Sequence, residues 1–124
     1  MINILDLIAR IFISSVFLIA GINKINQYEG TVQWMESFGV PGILIIPAII
    51  LEVIGSVLII VGYQTRITAS IFSIFCISLA FIFHNDFSNQ MELVSFFKNL
   101  ALAGGFLFLA INGPGKISLD KKLK

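Results

Sequence analysis

Arg10, Glu52, His84 and Lys98 stand inside, or at the ends of, long runs of Ile, Leu, Val and Phe. Ionisable groups in such surroundings are costly, so they normally face a protein interior, pair with one another and mark functional sites. Glu52 lies mid-run, where a carboxylate can take up and pass on a proton. The imidazole of His84 can do the same or donate a hydrogen bond. Arg10, Lys98 and the nearby Lys24 are pure donors, suited to a carbonyl or an anion.

Other chemistries are poorly supplied. Cys76 is the single cysteine, so an intrachain disulfide and dithiol redox chemistry are excluded, and it reads as a small packing residue. One His, one Cys and one Glu on different runs have no ligand spacing, so no metal site is expected. There is no nucleotide loop, haem pair or Ser-His-Asp order. A net charge of +1 with no basic aromatic surface gives no sign of a nucleic-acid partner.

The elements that must position these groups follow from composition. Of 124 residues 57% are hydrophobic and 12% charged, against roughly 25% charged in an ordinary soluble domain. The lipid bilayer is therefore the expected solvent. Four apolar stretches, Leu5–Ile22, Ile43–Val61, Ile67–Phe83 and Leu93–Ile111, each approach the ~20 residues an α-helix needs to cross ~30 Å of hydrocarbon. The expected fold is all-α, a polytopic four-transmembrane-helix bundle forming a single domain over 1–124. Met1 to Asp6 has no basic segment of the kind that opens a cleaved signal peptide, so the first span is expected to stay.

Cations set the orientation. Arg66 in the second loop and Lys116, Lys121, Lys122 and Lys124 in the tail share one side of a four-span chain, which places both termini in the cytoplasm. The first loop, Asn23 to Gly42, holds Tyr28, Trp34, Met35 and Phe38, the composition of an interfacial amphipathic turn or short helix. It reads as a belt anchor in preference to a substrate lid.

Helical spacing predicts which faces turn inward. Arg10, Ser14, Phe17, Gly21 and Lys24 form one stripe on the first span. Ala48, Glu52, Gly55, Ser56 and Gly62 form a second, Ala69, Ser73, Cys76, Ala80 and His84 a third, and Ser95, Lys98, Asn99, Leu102 and Gly105 a fourth. Small residues beside polar ones are what close packing in a bilayer requires. At ~1.5 Å per residue, Arg10 lies roughly 7 Å inside the cytoplasmic edge, Glu52 near the midplane and Lys98 roughly 8 Å below the outer edge. Arg10 and Lys98 are thus expected to bracket Glu52, with His84 and Lys24 at the outer rim. The plainer alternative is an ion network that only holds helix register.

The order of these pieces resembles the DoxX-like small bacterial membrane proteins over nearly the whole chain. An early Arg10 is followed by Phe17-Leu-Ile-Ala-Gly21-Ile-Asn-Lys24, then Gly39-Val-Pro41, Glu52-Val-Ile-Gly55, Gly62-Tyr-Gln-Thr-Arg66, His84, Lys98-Asn-Leu-Ala-Leu-Ala-Gly104-Gly105, Gly113-Pro-Gly115 and Ser118-Leu-Asp120. Where many relatives carry a further glycine after Gly55, this chain has Ser56. The resemblance implies a four-helix protein of the bacterial cytoplasmic (inner) membrane, with some relatives tied to thiosulfate:quinone oxidoreductase, oxidative-stress complexes or metal-related operons. By position it carries over Arg10, Lys24, Glu52, Arg66, His84, Lys98 and Asn99.

On this basis a quinone-linked redox subunit is expected. Glu52 and His84 are its candidate catalytic residues, Arg10, Lys24, Lys98 and Asn99 its candidate binding residues, and a quinone its only cofactor. His84 and Lys98 would donate to a quinone carbonyl and Glu52 would relay protons. With no electron carrier of its own in the sequence, the chain needs a protein partner, or acts as a homo-oligomer. A non-enzymatic scaffold and an oligomeric small-solute transporter stand as alternatives.

Overall fold

Apolar runs of this length must satisfy every backbone polar group within the segment, which in a membrane leaves helix as the solution for a short chain. The computed structural model describes residues 2–122, and among these there is no strand. Helix α1 covers Ile2–Asn26 and α2 Tyr28–Ser37. The next span is continuous from Gly42 to Val61 but changes winding, from a 3-10 turn (Gly42–Leu44) to α3 (Ile45–Ile50), a π-helical turn (Leu51–Gly55) and α4 (Ser56–Val61). Helices α5 (Thr65–Phe83), α6 (Gln90–Asn112) and the short α7 (Leu119–Lys122) follow.

Among the described residues four helices are long and apolar enough to cross a membrane: Ile4–Asn26, Gly42–Val61, Thr65–Phe83 and Gln90–Asn112. The first runs four residues past the expected stop at Ile22, because Asn23-Lys24-Ile25-Asn26 continues the turn instead of breaking it. The other ends carry the anticipated chemistry. Gly62 takes the left-handed conformation at φ 76° to close α4, and Asn89 caps α6 by accepting from the Met91 N–H at 2.9 Å. The aromatic first loop does form a short helix, α2.

The spans pack as two antiparallel pairs, α1 along the α3–α4 span and α5 along α6. Between the pairs lies an aromatic core. Phe72 and Phe106 stack with centroids 4.7 Å apart, and Phe17 lies 5.1 Å from Phe72. Ile59, Ala69, Cys76 and Ala103 fill the space around them. A second cluster, Met35, Ile45 and Phe83, closes the end remote from the termini, where Trp34 of α2 stacks on Phe83 at 4.5 Å. The outer surface stays apolar, with Phe12, Ile43, Ile74 and Phe108 about two-thirds or more exposed. Only lipid or another apolar surface covers such a belt.

Candidate functional site

The π turn is the feature around which polar groups collect. A π turn inserts one residue into the helical ladder and is frequent at functional sites. Here it carries Glu52 toward α1, and two glycines let the neighbours close on it. A Cβ on Gly21 would lie 2.7 Å from Val53 Cγ2 and 3.0 Å from Glu52 Cβ, and one on Gly55 would lie 2.9 Å from the Phe72 ring. Helix α1 therefore passes at backbone contact distance.

That approach brings Lys24 to Glu52. The ammonium Nζ lies 2.8 Å from Oε1 and donates a hydrogen bond to Oε2 at 3.1 Å. The Glu52 side chain is 1% exposed and that of Lys24 25%. The pair thus has one buried member and one that reaches toward the rim. Oε1 lacks a hydrogen bond of good geometry, and the buried hydroxyl of Ser56 has none. Oε1 keeps the ammonium as its ion-pair partner, whereas a buried hydroxyl left like that of Ser56 is rare and calls for one.

Arg10 does something other than pair with Glu52. It is 1% exposed, and its Nη1 donates to the carbonyls of Ile59 at 3.1 Å and Ile60 at 2.9 Å, while Nη2 donates to the Ile117 carbonyl. The last carbonyls of a helix have no intrahelical partner and form its negative pole, so a guanidinium settles there. Ile59 is seven residues beyond Glu52, about 10 Å along the axis, which puts the carboxylate out of reach. Arg10 is a helix cap and a tether for the tail.

The tail answers with Asp120. Its Oδ1 accepts from the Gln64 N–H at 2.8 Å and its Oδ2 from the Thr65 N–H at 2.9 Å, capping α5, and its own N–H donates to the Gly62 carbonyl at 2.8 Å. Arg66 Nη1 similarly donates to the Ala110 and Ile111 carbonyls at the end of α6. The Gly113-Pro-Gly115 and Ser118-Leu-Asp120 pieces are thus a fastening for the tail.

Lys98 is not where the stripe on the fourth span put it. The buried residues of α6 are Phe96, Ala103 and Phe106, with Asn99 half-buried on the same face, and Lys98 is exposed. The inward face is rotated by one residue, about 100°, because burying two phenylalanines outweighs burying one lysine. Asn99 donates to the Ser95 carbonyl of its own helix at 3.0 Å. His84 sits half-buried at the end of α5, its Nδ1 3.1 Å from Oε2 of Glu92. The expected convergence of Lys24, His84 and Lys98 therefore reduces to two separate pairs, Lys24–Glu52 and His84–Glu92. Glu92 was not singled out in the sequence, and Ser56 and Asp120 stood there only as a stripe residue and as part of a tail motif, with no role given to either. Asn89 and Glu92, three apart at the start of an apolar run, form the helix-start pattern that points to Glu92.

No group of three His, Cys, Asp or Glu that could hold a metal ion occurs among the described residues. Comparison with known proteins finds a family model described as DoxX matching residues 5–85. The chain is 44% identical to "Inner membrane protein YqjF" of Escherichia coli K12 over 94% of this chain and 90% of that one. It is 40% identical to "Inner membrane protein YphA" of the same strain over 96% and 90%. A shorter match, 32% identical over 55% of this chain and 51% of the other, is to the Bacillus subtilis protein named "Putative oxidoreductase CatD". No solved structure matches.

Proposed function

This chain belongs to the DoxX family, and from that premise we propose that it is a multi-pass inner-membrane subunit of a quinone-linked redox system, working with a protein partner that supplies the electrons. The observation that carries this reading is the buried Lys24–Glu52 pair on the π turn. The name of the Bacillus relative supports redox chemistry. The Lys24 ammonium and the unpartnered Ser56 hydroxyl beside the buried carboxylate are donors, which fits a ligand whose carbonyl groups only accept.

A quinone supplies two-electron, two-proton chemistry when bound. In this reading the Lys24 ammonium donates to a quinone oxygen, Glu52 holds a proton and passes it on, and Ser56 supplies a further hydroxyl. His84, paired with Glu92 at the rim, exchanges protons with water. Arg10 holds the fold and does not touch the ligand, and the outward-facing Lys98 has no part.

Mass spectrometry of the detergent-extracted protein tests for a co-purified quinone, and titration of a soluble quinone analogue measures its binding. Loss of one buried donor is worth roughly 1–3 kcal/mol, so Lys24→Met weakens the analogue about tenfold or more. Failure of wild type to bind any quinone leaves the second reading, a non-enzymatic anchor, which the Arg10 and Asp120 fastening of the tail favours. Binding untouched by Lys24→Met moves the quinone away from this pair.

A further inference from the structure

Helices α1 and α6 touch little at the end that carries the termini, and a crevice of about 350 Å³ lies between them. Its apolar walls are Ala9 and Ile13 on α1 and Gly105, Phe108 and Leu109 on α6, while Asp6 and the carbonyl-bound Arg10 line it on the α1 side. Ala9 and Phe108 are exposed, so the crevice opens on the lipid-facing surface. Asn112, Gly113 and Pro114 form its end, and the same residues line a polar cleft of about 550 Å³ beyond it. The two spaces adjoin at the end of α6, where the apolar span gives way to the polar tail.

The cleft is lined by three cations, Arg66, Lys116 and Lys121. Arg66 spends only Nη1 on the α6 carbonyls; its Nη2 lies over Gly113, where a Cβ would come within 3.1 Å. Lys116 and Lys121 are exposed, and among the described residues neither ammonium has an ion pair. Two acids also line the cleft. The Asp120 carboxylate is taken up by the Gln64 and Thr65 N–H groups, whereas Asp6 stands on the α1 wall against Gly115. Gly115, at φ 88°, leaves the space that Asp6 uses: a Cβ there would lie 2.7 Å from its Oδ2.

We infer that crevice and cleft together form one binding site for an anionic phospholipid, with an acyl chain between α1 and α6 and the phosphate at Arg66, Lys116 and Lys121. An apolar slot continuous with a cation-lined cleft matches an amphiphile with an anionic head. Asp6 also lines the cleft, and its carboxylate can accept from the hydroxyls of a glycerol head group whose phosphate stands at the cations. Phosphatidylglycerol is the occupant this chemistry fits. The site is separate from the Lys24–Glu52 pair, and its lipid would pin the tail against α1 and α6.

The test uses the full chain in detergent, titrated with phosphatidylglycerol or with phosphatidylcholine of the same acyl chains. Bound lipid is counted by native mass spectrometry and the melting temperature followed in parallel. One phosphatidylglycerol is expected to bind and to raise the melting temperature, with phosphatidylcholine far weaker. The variant Lys116→Gln/Lys121→Gln changes exposed residues only and should bind phosphatidylglycerol roughly thirtyfold more weakly, the share of two surface lysines in attraction to an anionic head group. Ala9→Phe, at an exposed wall position, should abolish the adduct while the lipid-free protein melts as before. Equal binding of the two lipids, or phosphatidylglycerol binding unchanged in the double lysine variant, overturns the proposal. So does displacement of the lipid by millimolar inorganic phosphate with Ala9→Phe silent, which would make the cleft a site for free anions.

Discussion

Lys24 holds its ammonium 2.8 Å from Oε1 of Glu52, joining the end of α1 to the π turn of the second span. The glutamate is almost wholly withdrawn from solvent and the lysine is not. The pair thus clasps two spans together from one buried and one partly exposed side.

Removing either partner alone leaves the other charge uncompensated, which typically costs about 3–5 kcal/mol for a buried pair. The loss from Glu52→Ala is expected to be the larger part of the loss from Glu52→Ala/Lys24→Ala, so the double variant is far from additive. Glu52→Ala/Arg10→Ala, by contrast, is expected to be additive. Thermal unfolding of singles and doubles in detergent decides both; additive losses in the first double would show the pair to be uncoupled.

Two glycines separate close packing from mere composition. Gly21→Ala presses a methyl against Val53 and Glu52, and overpacking of this kind costs typically about 1–3 kcal/mol. Gly104→Ala meets nothing within 4 Å and should be neutral or gain up to about 1 kcal/mol from helix propensity. Equal melting temperatures for the two variants would contradict the close approach of α1 to the π turn.

The tail fastening predicts a local effect. Asp120→Ala removes the cap of α5 and is expected to cost roughly 0.5–2 kcal/mol. It should also make the segment after Gly113 a faster target for limited proteolysis while the spans stay protected. Arg10→Lys retains the charge but loses the planar fork that reaches three carbonyls, so it should release the tail too. A tail equally resistant in both variants would mean that neither side chain holds it.

Orientation is open to a labelling experiment in a Cys76→Ala background. The cations Arg66, Lys116 and Lys121 sit at the end bearing the termini, so that end is proposed to face the cytoplasm. A cysteine at Asn89 should then react with an impermeant maleimide in intact cells, and one at Lys121 should not. The opposite pattern would turn the bundle over and place the proposed lipid site in the outer leaflet.

The sequence by itself determined the solvent, the number of spans and most of the inward faces. Apolar length and composition are properties of single segments, and 3.6-residue periodicity needs no partner to be read. Arg10, Ser14, Phe17 and Gly21 are buried as their spacing required, and so are Ala69, Ser73, Cys76 and Ala80. What tertiary structure decided was which of two adjacent faces wins and which charge meets which. On α6 the stripes through Lys98 and through Phe96 differ by one residue, and the choice fell to the neighbours offering an aromatic core. The change to π winding at Leu51–Gly55 carried no signal in residue type. Through it, and through the glycine contact at Gly21, Glu52 met Lys24 instead of Arg10, which had found closer acceptors in the Ile59 and Ile60 carbonyls at the end of α4. Partner choice among buried charges depends on angstrom-scale depth and rotation, and those are set only when the helices pack.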